Sequence, residues 1–279
     1  MALVLGIDGG GSGCRAALAD ATGRVLGRGE AGPANIHSDF DAALANILRA
    51  TEAALAEAGA GIDTIVTAVL GLAGANLPEL AEALARRLPF PARVISDALT
   101  AAHGALGPDD GIVAAIGTGS VFVRRQGPET RMIGGHGFLL GDEGSGAVLG
   151  RSLLQAALRA EEGRAPLTPL LCAVLEELGG PNGLMTFARD ARPADFAALA
   201  PRLIDSADPA AEAILREATE EVAAIIAHLQ PETALPVVFL GGLGPSYATR
   251  LGARWPALPP RGSALDGALA LALSEAARG

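Results

Sequence analysis

The stretch "GIDGGGSGCRAAL", Gly6 to Leu18, sets five glycines and a serine around Asp8, directly after the apolar run Leu3-Val4-Leu5. Glycines at a strand end let several backbone N–H groups close on an anion, because no Cβ stands in the way. Gly11-x-Gly13-x-x-Ala16 is a partial dinucleotide fingerprint, but that motif needs a helix opening at the glycines and an acidic residue about twenty positions further on. Neither follows. Cys14 to Ala19, Asp20-Ala21-Thr22-Gly23 and Arg24 to Gly27 spell strand, tight turn and strand, so the loop joins two strands. A Walker A loop would carry a lysine after its glycines, and all 21 basic residues here are arginine. The missing lysine removes Walker A nucleotide sites, the protein-kinase lysine, Schiff-base catalysis and pyridoxal-phosphate chemistry together. A nucleotide would be handled by backbone amides, hydroxyls and a metal.

At 279 residues, half of them apolar, the chain is long enough for two domains with sizeable cores. Its net charge of -10 and the lack of a basic stripe argue against nucleic acid as a partner. Alanine-rich apolar stretches are broken by glycine, proline and arginine before the roughly 20 residues a bilayer requires, and no signal-type leader opens the sequence, so no membrane partner and a cytoplasmic location are expected. Cys14 and Cys172 lie far apart without a Cys-x-x-Cys spacing, and His37, His103 and His228 show no metal-like spacing.

Strand and helix signals then alternate: a helix over Asp41 to Ala58, a buried strand near Ile65 to Leu72, a helix over Pro78 to Leu88 and a strand Ala92 to Ser96 ending at Asp97. This order implies an α/β fold with a mostly parallel sheet covered on both faces. The opening pattern returns at Ile112 to Ile116, with the turn Gly117-Thr118-Gly119-Ser120, the strand Val121 to Arg124 and a third strand at Arg131 to Ile133. Two hairpins of one layout suggest duplicated domains, residues 1–108 and 109–279, facing each other across a cleft with one polar loop apiece. A helical insertion is expected at about 150–230, then a strand Pro236 to Leu240, a glycine turn from Gly241 to Ser246, and a closing helix from about Ser263.

These motifs together resemble the actin/hexokinase/Hsp70 ATPase superfamily, with two ribonuclease H-like, actin-like domains. Asp8 to Gly13 looks like its first phosphate loop, Gly117 to Ser120 its second, and Leu240-Gly241-Gly242 its adenosine loop. Ala34-Asn35-Ile36, Ser96-Asp97-Ala98, Gly134-Gly135-His136-Gly137 and Gly141 to Gly146 are similar to the hexosamine kinases of the BadF/BadG/BcrA/BcrD ATPase family. The resemblance implies an ATP-dependent kinase transferring the γ-phosphoryl group to the 6-hydroxyl of glucosamine, or else of N-acetylglucosamine. ATP would be held by Gly10, Gly11, Ser12, Gly13, Thr118, Gly119, Ser120, Gly241, Gly242 and Ser246, and Mg²⁺ by Asp8. Asn35, Asp97, Gly117, Gly135, His136 and Asp142 would hold the sugar, with Asp97 as the base.

Each residue also fits a plainer role. Asp97 suits a helix N-cap, Asp8 a turn aspartate, Asn35 a loop residue bonding its own backbone, Asp142 a charge at a helix N-terminus, and His136 a solvent-facing turn residue. His136 stands where N-acetylglucosamine kinases can carry tryptophan, which favours the free amine. Two other function classes share the resemblance. An activator of a radical dehydratase needs cluster-ligating cysteines that Cys14 and Cys172 do not supply, and a non-catalytic sugar sensor of the repressor type lacks its DNA-binding segment. The partners implied are an amino sugar and a homodimer.

Overall fold

The computed structural model describes residues 2–278, and the chain divides into two compact units. The first opens with β1 (Leu3–Gly9), β2 (Cys14–Asp20) and β3 (Val25–Ala31), then α1 (Phe40–Ala58), β4 (Ile65–Leu72), α2 (Pro78–Arg87), β5 (Ala92–Ser96) and α3 (Asp97–Leu106). β1, β2 and β3 form an antiparallel meander in which Gly9 pairs with Cys14 and Asp8 faces Arg15, while β4 and β5 continue from β1 in parallel. The strand order is β3-β2-β1-β4-β5. Alternation along β1 explains its opening run of apolar residues: Leu3, Leu5 and Ile7 enter the core under α1, and Val4 enters a second core on the opposite face. Asp39 caps α1 by accepting from the Ala42 amide at 3.0 Å, and Gly59 closes it in the left-handed conformation at φ 63°. The helix lies so close to the sheet that a Cβ on Gly29 would sit 2.0 Å from the Ala50 carbonyl oxygen.

The second unit repeats the plan. β6 (Gly111–Ile116), β7 (Ser120–Gln126) and β8 (Glu129–Gly134) form the meander, and β9 (Val237–Leu240) joins β6 in parallel, giving the order β8-β7-β6-β9. A parallel bridge between Val237 and Ala257 marks where a fifth strand would lie. It stays one residue long because Pro256, Pro259 and Pro260 carry no amide to donate to a ladder. Between β8 and β9 run α4 (Gly146–Glu161), α5 (Pro169–Leu178), α6 (Gly180–Asp190), α7 (Pro193–Ala197), α8 (Pro201–Ile204) and α9 (Pro209–Leu229), packed on a core of their own around Leu153, Phe196 and Leu215. α10 (Gly244–Leu251) follows β9.

The closing helix α11 (Ala264–Ala276) departs from the expected boundary, because residues from Pro259 on belong to the first unit and the second unit is Asp110–Leu258. Leu265, Leu269 and Ala272 bury against Val4, Ala17 and Val69. α11 meets α3 through two glycines: a Cβ on Gly267 would lie 2.0 Å from the Thr100 carbonyl oxygen, and one on Gly104 would lie 1.8 Å from that of Ser263. Among the described residues no helix is long and apolar enough to cross a membrane.

Candidate active site

In the first unit the parallel strands β1, β4 and β5 end side by side, with Gly9 paired to Leu72 and Leu72 to Ser96. Ligands of open α/β sheets gather at such carboxyl ends. The glycine loop closes on itself through the Gly10 amide to the Gly13 carbonyl at 2.9 Å. The Ala34 amide donates to Gly10 at 2.8 Å, which brings Asn35 beside the loop. Asn35 Oδ1 accepts from the amides of His37 at 3.0 Å and Ser38 at 3.1 Å, so its carbonyl does the plainer, backbone-satisfying job.

Asp8 holds an ion pair with Arg15, Nη2 to Oδ2 at 2.5 Å. Both line a cavity of about 500 Å³ with Gly10, Ser12, Gly13 and Glu30. Burial, and then the Asp8 charge, push the Cys14 thiol up to about 12, so this cysteine packs and does not react.

Asp97 stands at the first position of α3, and the cap is its neighbour Ser96, whose Oγ accepts from the Ala98 amide at 3.3 Å. Asp97 Oδ1 accepts from that same amide at 2.9 Å and from the Ser96 hydroxyl at 3.2 Å. Burial raises the Asp97 carboxyl above the ordinary carboxylate range, the nearby Asp8 charge raises it further, and the two hydrogen bonds oppose the shift. A carboxylate whose basicity is raised at the end of a parallel strand is equipped to take a proton.

In the second unit four glycine segments converge. The segment Ile116 to Ser120 receives the Gly146 amide on the Gly117 carbonyl at 2.8 Å, the Ala147 amide on the Thr118 carbonyl at 3.2 Å, the Gly135 amide on the Ser120 carbonyl at 3.0 Å, and the Leu243 amide on the Ile116 carbonyl at 3.1 Å. Thr118 is exposed, whereas Ser120 is buried and its hydroxyl donates to the Glu143 carbonyl at 2.8 Å. Asp142 Oδ1 accepts from the Ser120 amide at 3.2 Å. Burial raises the Asp142 carboxyl, the Ser120 hydrogen bond opposes it, Glu143 raises it and His136 lowers it. His136 itself is exposed. Ser145, not Asp142, caps α4. The buried Tyr247 hydroxyl donates to the Gly144 carbonyl at 2.6 Å and anchors the segment from beneath.

Gly242 and Ser246 line a cavity of about 720 Å³ together with Pro201, Ile204, Asp205 and Arg250. Arg250 is held by Glu212 through two hydrogen bonds of 3.1 and 3.0 Å. Pro201 and Ile204 of α8 carry no signal in the sequence, because a four-residue helix leaves no periodicity to read.

A phosphate-bearing ligand fits these loops on one observation. Gly10, Gly11, Gly117 and Gly242 have neither positive φ nor any atom within 4 Å of where a Cβ would stand. The chain's own conformation and packing do not require glycine there, while close approach of a phosphate does. Among the described residues no three His, Cys, Asp or Glu side chains cluster as a metal cage. A single carboxylate such as Asp8, completed by phosphate oxygens and water, is the Mg²⁺ pattern.

Two sheets of one topology, each with a glycine loop after its first strand, define a duplicated actin-like ATPase. Residues 5–249 match the model of the BadF/BadG/BcrA/BcrD ATPase family, and the chain belongs to that family. It is 29% identical to the glucosamine kinase GspK of Vibrio cholerae over 96% of this chain and 95% of that protein. The N-acetyl-D-glucosamine kinase of Dictyostelium discoideum is 28% identical over 86% of this chain and 85% of its own. A solved structure from Chromobacterium violaceum, provisionally assigned as an N-acetylglucosamine kinase, superposes with a TM-score of 0.84 at 34% identity and covers 98% of this chain and 99% of that one.

Proposed function

We propose that this ATP-dependent sugar kinase, a hexosamine kinase by its relatives, phosphorylates the 6-hydroxyl of glucosamine. The observation that carries the catalytic part is Asp97, a carboxylate of raised basicity at a parallel strand end, electrostatically coupled to Asp8. Asp97 accepts the proton of the attacking hydroxyl. The backbone amides of Gly11 to Gly13 and of Thr118 and Gly119, in loops that the Gly10 and Gly117 amides close by donating to Gly13 and Gly119, bind the phosphate oxygens and orient them for in-line transfer. Asp8 would hold Mg²⁺, which would supply positive charge against the charge that develops on the phosphates. Arg15, the basic side chain beside Asp8 in the loop cavity, orients that carboxylate through their ion pair. Gly242, Leu243 and Ser246 receive the nucleoside. Asn35, Gly135, His136 and Asp142 bind the amino sugar.

Two features favour the free amine over the acetylated sugar. His136 is polar and exposed, so it offers little apolar surface to an acetyl methyl group, and the carboxylates of Asp142 and Glu143 favour a protonated amine. Loss of a methyl contact is worth only about 1–3 kcal/mol, so N-acetylglucosamine is disfavoured and not excluded. The test compares kcat/KM for the two sugars in the wild type and in His136→Trp. The wild type prefers glucosamine and the variant moves about tenfold toward the acetylated sugar; a wild-type preference for N-acetylglucosamine that the substitution leaves unchanged puts the acyl-sensing surface elsewhere.

A further inference from the structure

We propose that Asp142 is a positioning residue that ties the amino-sugar side of the second unit to its phosphate loop, so that sugar and nucleotide bind cooperatively through one carboxylate. The proposal rests on the function inferred above. Three observations carry it.

First, Asp142 bridges two segments assigned to different ligands: its Oδ1 holds the Ser120 amide at 3.2 Å, inside the turn assigned to phosphate. Second, the carboxylate lies against Gly119, where an added methyl would come within 2.9 and 3.0 Å of its two oxygens, so turn and carboxylate have no slack between them. Third, Asp142 has φ 62°, and among the described residues it is the single non-glycine with positive φ. Side chains occupy that region rarely, and a buried one does so where the surrounding structure imposes it.

The neighbouring bonds make turn and carboxylate one body. The Ser120 hydroxyl on the Glu143 carbonyl, and the Gly146 and Ala147 amides on the carbonyls of Gly117 and Thr118, leave the turn unable to move without residues 142–147. A carboxylate offers about four lone-pair directions, and the Ser120 amide uses one. A sugar hydroxyl or ammonium that donates to the remainder fixes Asp142, and through it the Gly119–Ser120 peptide. The nucleotide then meets a turn held in the position that the sugar has selected. Reciprocity follows from linkage: nucleotide raises sugar affinity by the same factor.

The experiment is calorimetric binding of a non-hydrolysable ATP analogue with Mg²⁺, with and without saturating glucosamine, to the wild type, Asp142→Asn, Asp142→Ala and Gly119→Ala. Glucosamine raises analogue affinity in the wild type by at least about fivefold, the lower end of ordinary coupling. Asparagine tolerates the left-handed conformation and still accepts the Ser120 amide, so Asp142→Asn keeps most of that ratio even as sugar affinity falls. Alanine cannot accept the amide, and the Gly119 methyl pushes the carboxylate away, so both variants bring the ratio close to one. Amide exchange at Ser120 reads the link without any ligand and is faster in Asp142→Ala.

If Asp142→Ala weakens glucosamine yet keeps the wild-type ratio, Asp142 is a sugar ligand alone and the proposal falls while the kinase assignment stands. A wild-type ratio of one overturns the proposal as well. A wild type that binds the analogue but neither glucosamine nor N-acetylglucosamine removes the functional assignment, and the cooperativity with it. Should Asp142→Ala fail to fold, Gly119→Ala makes the same distinction.

Discussion

At the residue scale the proposed mechanism concentrates the chemistry on Asp97, whose surroundings set stability against the proposed function. Burial lifts its carboxyl, so the folded state binds this proton more tightly than the unfolded chain does. The sign follows from linkage: the favourable contribution is complete below the unfolded-state value and is lost as pH rises through the raised value, so above it the ionised side chain costs stability. Asp97→Asn removes that cost while its carbonyl still accepts the Ala98 amide, so the variant melts higher than the wild type at pH 8, and the gap closes as pH falls toward 4. Thermal melts across that range check it. The same variant loses about 10²–10⁴ in sugar-dependent turnover with little change in ATP affinity, because general-base catalysis is worth that much. A near-normal turnover takes the base role from Asp97.

At the scale of elements, the α3 and α11 crossing is the contact most dependent on glycine. Alanine in a helix interior normally gains up to about 1 kcal/mol over glycine. At Gly267 the methyl would stand 2.0 Å from the Thr100 carbonyl, so Gly267→Ala loses about 1–3 kcal/mol net of that propensity, read as a lower denaturant midpoint. An unchanged or raised midpoint would mean the helices cross with room to spare. This crossing also marks a limit of what the sequence discloses. The hairpins, the strand Ala92–Ser96 and the glycine turns were legible because alternation and turn chemistry are local. That α11 packs on the first sheet was not, since Leu265, Ala268 and Leu269 form an apolar surface that any sheet would accept. For the site, the glycine loops and Asp97 stood out by composition and place. The Asp142 to Ser120 bond and the Ser96 cap depend on which of two adjacent oxygens reaches an amide, and no spacing rule encodes that.

For the whole molecule, the proposed function divides the work between the repeats: one unit carries Asp8, the first glycine loop, Asn35 and Asp97, and the other carries the second loop, Asp142 and the turn proposed for the nucleoside. If the proposed roles hold, neither repeat alone transfers a phosphoryl group, and the proposed proton acceptor has no partner until a sugar hydroxyl is bound. ATP hydrolysis in the absence of sugar is therefore expected to run at least about 100-fold slower than sugar phosphorylation, by the scale of general-base catalysis. Comparable rates would contradict an acceptor-dependent kinase.

The most direct test measures ADP release from Mg·ATP over a panel of glucosamine, N-acetylglucosamine, glucose and mannosamine, with the phosphorylated position read by phosphorus NMR. The account predicts that glucosamine has the highest kcat/KM, that N-acetylglucosamine is a slower substrate, and that the new phosphate ester lies on the 6-carbon. ADP release that no sugar stimulates, a preference for glucose over both hexosamines, or phosphate on another carbon would contradict it.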